Sequence, residues 1–183
     1  MTPSMSEIWL VNGIPGSGKT TVARLLASTL ERGVHIMGDH LHEMVVTGRV
    51  EPDGEPADEA FRQLELADRN LCLLARSFAK EGFVPVLDYV VHSEARLEGY
   101  RRLQSQHTLR MVVLAPGVKE ALRRKPAPAR RWSFVEPIIR TELTGIGLWL
   151  DSTLLSAEET VDLILTNKSD ALLKPGGHIG LQA

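Results

Sequence analysis

Cysteine is nearly absent from this chain: among 183 residues there is one, Cys72. A single thiol excludes an internal disulfide and a zinc site built from several cysteines. Nothing near Cys72 in the sequence would lower its pKa, so it is expected to be buried and inert. Charge of one sign is lacking as well. The 21 basic and 23 acidic side chains leave a formal net charge of −2, so no global field recruits nucleic acid or an anionic membrane, and attraction for phosphate must be local. There is no run of about 18 apolar residues, and the first residues lack the basic start and apolar stretch of a signal peptide. A soluble, unprocessed, cytoplasmic protein is expected. Internal repeats and long linkers are missing too, which leaves one domain over residues 1–173 with a continuous core and a loosely held tail at 174–183.

What the sequence contains is an alternation of short β-branched or apolar runs with helical stretches, the pattern of an α/β layer fold around a mostly parallel sheet. Strands are predicted at 8–12, 34–37, 84–88, 110–114 and 148–151. Helices are predicted near 19–31, 41–47, 57–80, 93–105, 117–124, 133–144 and 156–165. Gly33 and Gly82 are expected to stop the helices before them in the left-handed backbone that glycine accepts. Ser156-Ala-Glu-Glu159 reads as a capping box. In helix 57–80 the buried stripe is expected to be Ala60, Leu64, Ala67, Leu71, Leu74, Ala75 and Phe78, with Cys72 and Leu73 beside it. Pro85 falls inside a central strand, where it would remove a ladder donor; the strand's first position or a bulge would accommodate it. Residues 48–56, GRVEPDGEP, are loop by composition.

The stretch GIPGSGKT, from Gly13 to Thr20, follows the first strand and opens the first helix. It satisfies G-x-x-x-x-G-K-[ST], with Gly13, Gly18, Lys19 and Thr20 at the required offsets. Its glycines let successive N–H groups curl toward phosphate oxygens, and the helix adds its positive N-terminal end. Lys19 would reach the β and γ phosphates, and the Thr20 hydroxyl would take one position on Mg²⁺. The nucleotide-binding set is Gly13, Pro15, Gly16, Ser17, Gly18, Lys19, Thr20 and Thr21. A dinucleotide fingerprint would need a third glycine after Gly16 and Gly18, and Thr21 stands there instead. Asn167-Lys168-Ser169-Asp170 has the N-K-x-D form of guanine-binding GTPases. It follows a predicted helix rather than a strand, and no D-x-x-G switch follows a strand, since Asp88 continues into Tyr-Val-Val. A solvated helix end is expected there.

Together with a second strand ending in GDH, a third ending in VLD, the arginine-rich RRKPAPARR and the terminal GLWLDSTLLSAEETVDLIL, this loop resembles the small P-loop kinases. The likeness spans residues 7–166, and its nearest relatives in style are zeta toxins, chloramphenicol phosphotransferase, gluconate kinase and shikimate kinase. The resemblance implies a three-layer α/β/α P-loop NTPase fold, with a five-stranded parallel sheet in the order 2-3-1-4-5 and an arginine-rich lid at about 121–135. It also implies an ATP- and Mg²⁺-dependent kinase acting on a hydroxyl of a small molecule.

Phosphoryl transfer asks a protein to position an acceptor, neutralise phosphate charge and exclude water. By resemblance Asp39 orients the acceptor hydroxyl and takes its proton; the alternative is an N-cap for the helix opening near Leu41. Asp88 would hold Mg²⁺ or grip the acceptor; the alternative is a strand-end residue capping a turn. His40, His42 and Glu43 do not combine with Asp39 into a metal site, because positions two apart on a helix point to different faces; His40 and His42 would line the pocket or face solvent. Pro126 and Pro128 prevent a single helix through Arg123, Arg124, Lys125, Arg130 and Arg131. In related kinases such a segment is a lid, and Arg124 and Arg131 are the best positional matches for its catalytic arginines. Arg140 is a further substrate or phosphate contact. The acceptor pocket is expected from residues 40–64 and the start of the helix after Asp88, with 48–56 as a mobile flap. The flap acids Glu51, Asp53 and Glu55 disfavour an anionic acceptor, leaving a neutral or cationic hydroxylated molecule such as an antibiotic, sugar or nucleoside. Trp132, Phe134 and Trp149 are expected to pack the core or the lid. Two other functions fit parts of the pattern, a GTP- or ATP-binding regulatory NTPase and a polynucleotide 5′-hydroxyl kinase. No membrane or nucleic-acid partner is expected, and the chain would be a monomer or a homodimer.

Overall fold

Period-two alternation in the strands divides their side chains between two cores. Along β1 (Glu7–Asn12), Ile8 and Leu10 belong to one core and Trp9 and Val11 to the other, all fully buried, because successive residues of a strand point to opposite faces. A computed structural model describes residues 6–103 and 106–174. The sheet continues with β2 (Gly33–Met37), β3 (Val84–Asp88), β4 (Thr108–Leu114) and β5 (Leu148–Leu150). Its order is β2-β3-β1-β4-β5 with every pairing parallel, the arrangement implied by the small P-loop kinases. Ile8 and Leu10 share their core with α3 (Ala57–Lys80), α4 (Glu94–Leu103) and α7 (Val135–Leu143). Trp9 and Val11 pack with α1 (Lys19–Thr29) and α8 (Ala157–Thr166). Among the described residues, no helix is long and apolar enough to cross a membrane.

The elements follow the predicted alternation, with instructive departures. The buried stripe of α3 is Ala60, Gln63, Ala67, Leu71, Cys72, Ala75 and Ala79, so Leu74 and Phe78 turn outward and Cys72 lies inside the stripe. Small residues at 67, 75 and 79 let the helix lie close to the sheet, whereas Phe78 packs edge-on against Phe83 at 5.9 Å. Gly82 has φ 78° after α3, as a helix-ending glycine does. Gly33 does not: α1 ends at Thr29, and Gly33 opens β2 without a positive φ. Its need for glycine is steric, since a Cβ there would lie 1.9 Å from the Ala27 carbonyl oxygen.

Pro85 is the second residue of β3, which runs between β2 and β1. Val84 donates its N–H to Arg32 O near β2, and Tyr89 donates to Val11 O on β1. Alternation therefore turns the missing donor of Pro85 toward β1, whose pairing with β3 begins one residue later at Trp9 and Val86. No ladder bond is lost there. The Ser156–Glu159 capping box is present in both directions. The N-K-x-D tetrapeptide follows α8 as its helix end: Asn167 is the C-cap, and Lys168 donates from Nζ to Glu7 Oε2 at 2.8 Å.

Two departures bear on the chemistry. The helix expected at 41–47 is α2, and it runs over Gly38–Glu43. Asp39 thus lies inside its first turn, Met37 is the N-cap and no side chain caps it, so the N-cap alternative for Asp39 does not hold. The arginine-rich segment forms two short helices, α5 (Val118–Arg124) and α6 (Pro126–Trp132). Only Lys125 separates them, and Pro126 starts α6, where its missing N–H is tolerated. The tail expected at 174–183 lies, from residue 175 onward, outside the described residues.

Gly33→Ala is expected to lower stability by about 1–3 kcal/mol, since a backbone carbonyl blocks the added methyl. The midpoint of urea unfolding at unchanged m-value measures it.

Candidate active site

The phosphate loop starts where β1 ends, and a buried amide fixes that point. Asn12 accepts from Gly13 N–H at 2.8 Å and Val91 N–H at 3.0 Å, and donates from Nδ2 to Val91 O at 2.7 Å. Beyond it the chain turns through the Ser17 N–H to Ile14 O bond, 3.0 Å long. Gly16 and Gly18 have φ 87° and 96°, values that residues with a Cβ rarely adopt. A Cβ on Gly16 would also come within 2.5 Å of the Ala121 carbonyl oxygen of α5. Helix α1 then opens at Lys19 with no side-chain cap and no acid in its first turn. Its unsatisfied N–H groups and dipole are left for an anion.

A cavity of about 690 Å³ extends from this loop. Pro15, Gly16, Gly18, Lys19, Thr20 and Thr21 form one wall, with Asp39 and Glu43 of α2 facing them. Gly13 and Ser17 lie behind the wall; Ser17 is buried and its hydroxyl has no hydrogen-bond partner. Lys19 is also buried. Asp88 sits at the end of β3 beneath the cavity, 4% exposed, with Oδ2 3.6 Å from His35 Nε2 and Oδ1 without a partner. Parallel pairing of β3 with β1 sets Asp88 beside Val11, at the rim where the loop begins.

The two acids are pushed in opposite directions. Burial within the cleft raises the Asp39 carboxyl above its usual range; the Lys19 charge opposes this, and Asp88 and Glu43 add to it. Burial acts in the same sense on Asp88, but the His35 ring, the Lys19 charge and the Thr20 hydroxyl outweigh it and hold that carboxyl below the usual range. A pair with separated affinities can keep one carboxylate ionised while the other exchanges a proton. Asp39 nevertheless keeps an exposed face, so water screens its charge and the upward push is modest.

The other residues singled out in the sequence scatter. His42 is buried and lines the cavity, with Nε2 3.1 Å from Val50 O; His40 is exposed and outside the lining. Arg124 reaches into the cavity wall, donating to Ser17 O at 3.2 Å and Ser152 O at 2.7 Å. Arg131 instead grips Asp53 of the 48–56 loop with two nitrogens. Arg140 is away from the cavity, paired with Glu136 at 2.9 Å, its guanidinium 5.9 Å from the Trp149 ring centroid.

Residues not singled out by the sequence also build this site. Arg96 lines the cavity, donates to both Asp68 oxygens at 2.9 and 2.7 Å and to Val90 O at 3.0 Å. Burial would lower its pKa, but Asp68 outweighs that and keeps it charged. Tyr89 stands beside it, its hydroxyl pushed by burial to about 12 and therefore protonated. Position just after Asp88 was the only sequence signal for either. The 48–56 loop is held by Gln63, which accepts from Val50 N–H at 2.9 Å and donates to Gly48 O at 2.8 Å.

The opposed shifts give opposite effects on stability. Asp88→Asn is expected to lower Tm at neutral pH. That deficit persists above the ordinary aspartate value of 3.8 and fades only as pH falls below it. Asp39→Asn is expected to leave Tm unchanged or slightly raised, and any gain disappears as pH falls toward 3.8. Calorimetric melts of the ligand-free variants across the acid range check both signs.

The AAA domain family matches residues 8–133, more than half of the chain. A UPF0200 protein of Aeropyrum pernix is 43% identical over 54 residues, which span 30% of this chain and 29% of that protein. Among solved structures, the APS kinase of Mycobacterium tuberculosis, crystallised with AMPPNP and APS, superposes with a TM-score of 0.65 at 18% identity, covering 90% of this chain and 98% of that one. The Deinococcus radiodurans tunicamycin resistance protein gives 0.64 at 20% identity, covering 93% and 99%. At such identities these structures establish the shared P-loop fold. The glycine-rich loop at the head of a 2-3-1-4-5 sheet and the match over residues 8–133 lead to one assignment: the chain belongs to the AAA domain family.

Proposed function

We propose that this protein is an ATP-dependent phosphotransferase that moves the γ-phosphoryl group to a hydroxyl of a small molecule such as an antibiotic, sugar or nucleoside. In this reading residues 1–173 act as one kinase domain. The observation that carries it is the meeting of Lys19, the open start of α1 and Asp39 on one cavity, with the Asp88 carboxylate, of lower proton affinity, buried beneath them. Kinase structures among the neighbours support the reaction class.

The residues divide the work by charge. The loop from Gly13 to Thr21 and the Lys19 ammonium hold the phosphates and offset the charge that develops during transfer. Asp39, with its raised proton affinity, takes the acceptor's hydroxyl proton. Asp88 stays ionised, and its carboxylate, with an unpartnered Oδ1, together with the Thr20 hydroxyl near it is a donor set that fits Mg²⁺, an ion bound through one or two carboxylates plus substrate oxygens and water. Mg²⁺ held there by Thr20 and Asp88 would neutralise charge between the β- and γ-phosphates. Arg124 already lies on the phosphate loop through Ser17 O. Arg131 would have to leave Asp53 to reach phosphate, and the break at Lys125 gives the 121–135 segment a joint for closing.

Lys19→Ala is expected to reduce transfer by about 10²–10³. Asp39→Asn should reduce it by about 10²–10⁴ while leaving ATP affinity within a few fold. The assay is labelled phosphate transfer over a panel of antibiotics, nucleosides and sugars, with ATP hydrolysis subtracted. Near wild-type turnover in Asp39→Asn removes that residue from the proton-accepting role, and thermal protection by GTP in preference to ATP overturns the kinase reading in favour of a regulatory NTPase.

A further inference from the structure

Charges around the acceptor half of the cavity are unevenly satisfied, and on the kinase reading above this imbalance specifies the acceptor. Each arginine there already holds a carboxylate. Arg96 is 2.7 Å from Asp68, Arg49 is 3.3 Å from Glu51, and Arg131 grips Asp53. His92 lines the same wall, and burial, reinforced by the Arg96 charge, holds its pKa below the usual value, so it is neutral near pH 7. The remaining cations of the wall are Lys19 in the phosphate loop, Arg124, which donates to Ser17 O and pairs with Glu120, and its chain neighbour Lys125.

The acids are not so matched. Glu51 and Asp53 are taken by arginines, but no ion pair reaches Asp39 or Glu43 among the described residues. These two stand four positions apart on α2, on one helix face with about 5–6 Å between Cβ atoms. Both line the cavity. The same cavity is lined by aromatic side chains, Tyr89, which packs against α2 at Gly38, and the Trp132–Phe134 pair with ring centroids 5.8 Å apart. Aromatic faces attract ammonium groups and cover hydrocarbon. An anionic acceptor would meet two carboxylates held in no ion pair, while each arginine of the wall already holds an acid. A neutral polyol would gain little from Glu43 beyond what water already gives that exposed side chain.

We propose that the acceptor is an amino alcohol of one or two rings, whose hydroxyl faces Asp39 and whose ammonium pairs with Glu43. In the transfer the acceptor oxygen forms a bond to the γ-phosphorus, the bond from that phosphorus to the β,γ-bridging oxygen breaks, the hydroxyl proton passes to Asp39, and ADP leaves. Glu43 is a specificity residue: it selects the charge of the acceptor and takes no part in bond making.

Calorimetric binding to the protein loaded with Mg²⁺ and AMPPNP compares three probes: neamine, a two-ring aminocyclitol; its fully N-acetylated form; and adenosine 5′-monophosphate. Neamine is expected to bind at least about tenfold more tightly than the acetylated form, and the monophosphate not to displace it. Glu43→Gln is expected to shrink the preference to within about threefold, with ligand-free Tm and AMPPNP affinity at wild-type values. Equal binding of the three probes, no binding of neamine, or a preference that survives Glu43→Gln overturns the proposal. Transfer from ATP, followed in parallel, separates it from the kinase reading. Selective neamine binding without ADP or phosphorylated product overturns the kinase reading and not the charge selectivity, whereas transfer confined to uncharged hydroxyl compounds overturns the amine assignment and not the kinase reading.

Discussion

Two hydrogen bonds of the buried Asn12 side chain, one donated and one accepted, join the end of β1 to the backbone at Val91, just past β3, and a third is accepted from the Gly13 N–H that opens the loop. An amide enclosed this way is stable only with its partners in place, because an unsatisfied buried polar group costs about 1–3 kcal/mol. The bonds therefore fix the start of the phosphate loop against the strand that carries Asp88. The loop is confined from the other side as well: a Cβ on Gly13 would collide with Leu114 O of β4 at 2.7 Å, and one on Gly16 with Ala121 O of α5. Between these walls the backbone has no room for side chains at Gly13 and Gly16, which is why the loop keeps glycine there.

With the loop so placed, the charges follow. Lys19 is buried where only anions make its position favourable, and Asp39 and Asp88 supply part of that charge from two different elements. Their proton affinities separate because their surroundings differ. Asp88 has His35 and Thr20 beside it as well as the Lys19 charge, whereas Asp39 has mainly Lys19 to offset burial and two other acids acting against it. Farther out Arg96, Arg49 and Arg124 of the cavity wall are engaged by Asp68, Glu51 and Glu120, and Arg131 beside it by Asp53, so these arginines add little net positive charge. The Arg131–Asp53 contact also links α6 to the loop over the cavity mouth, although an exposed pair of this kind contributes little stability.

The sequence by itself determined what depends on neighbours along the chain. The phosphate loop is legible because curling the backbone needs glycine at fixed offsets; the α/β alternation is legible because strand and helix periods differ; and the Ser156–Glu159 box is a contact of three positions. Even there, local rules misplaced details. Gly33 is required by the approach of Ala27 rather than by a left-handed turn, and Leu74 and Phe78 lost the buried face of α3 to smaller residues. The tertiary structure alone decided which charges meet. Arg96 finds Asp68 across 28 positions and Arg131 finds Asp53 across 78, while Arg140 turns to its own helix. Sequence spacing carries no such information, because a Coulomb interaction depends on distance and on the polarisability of what lies between, and both are set by packing.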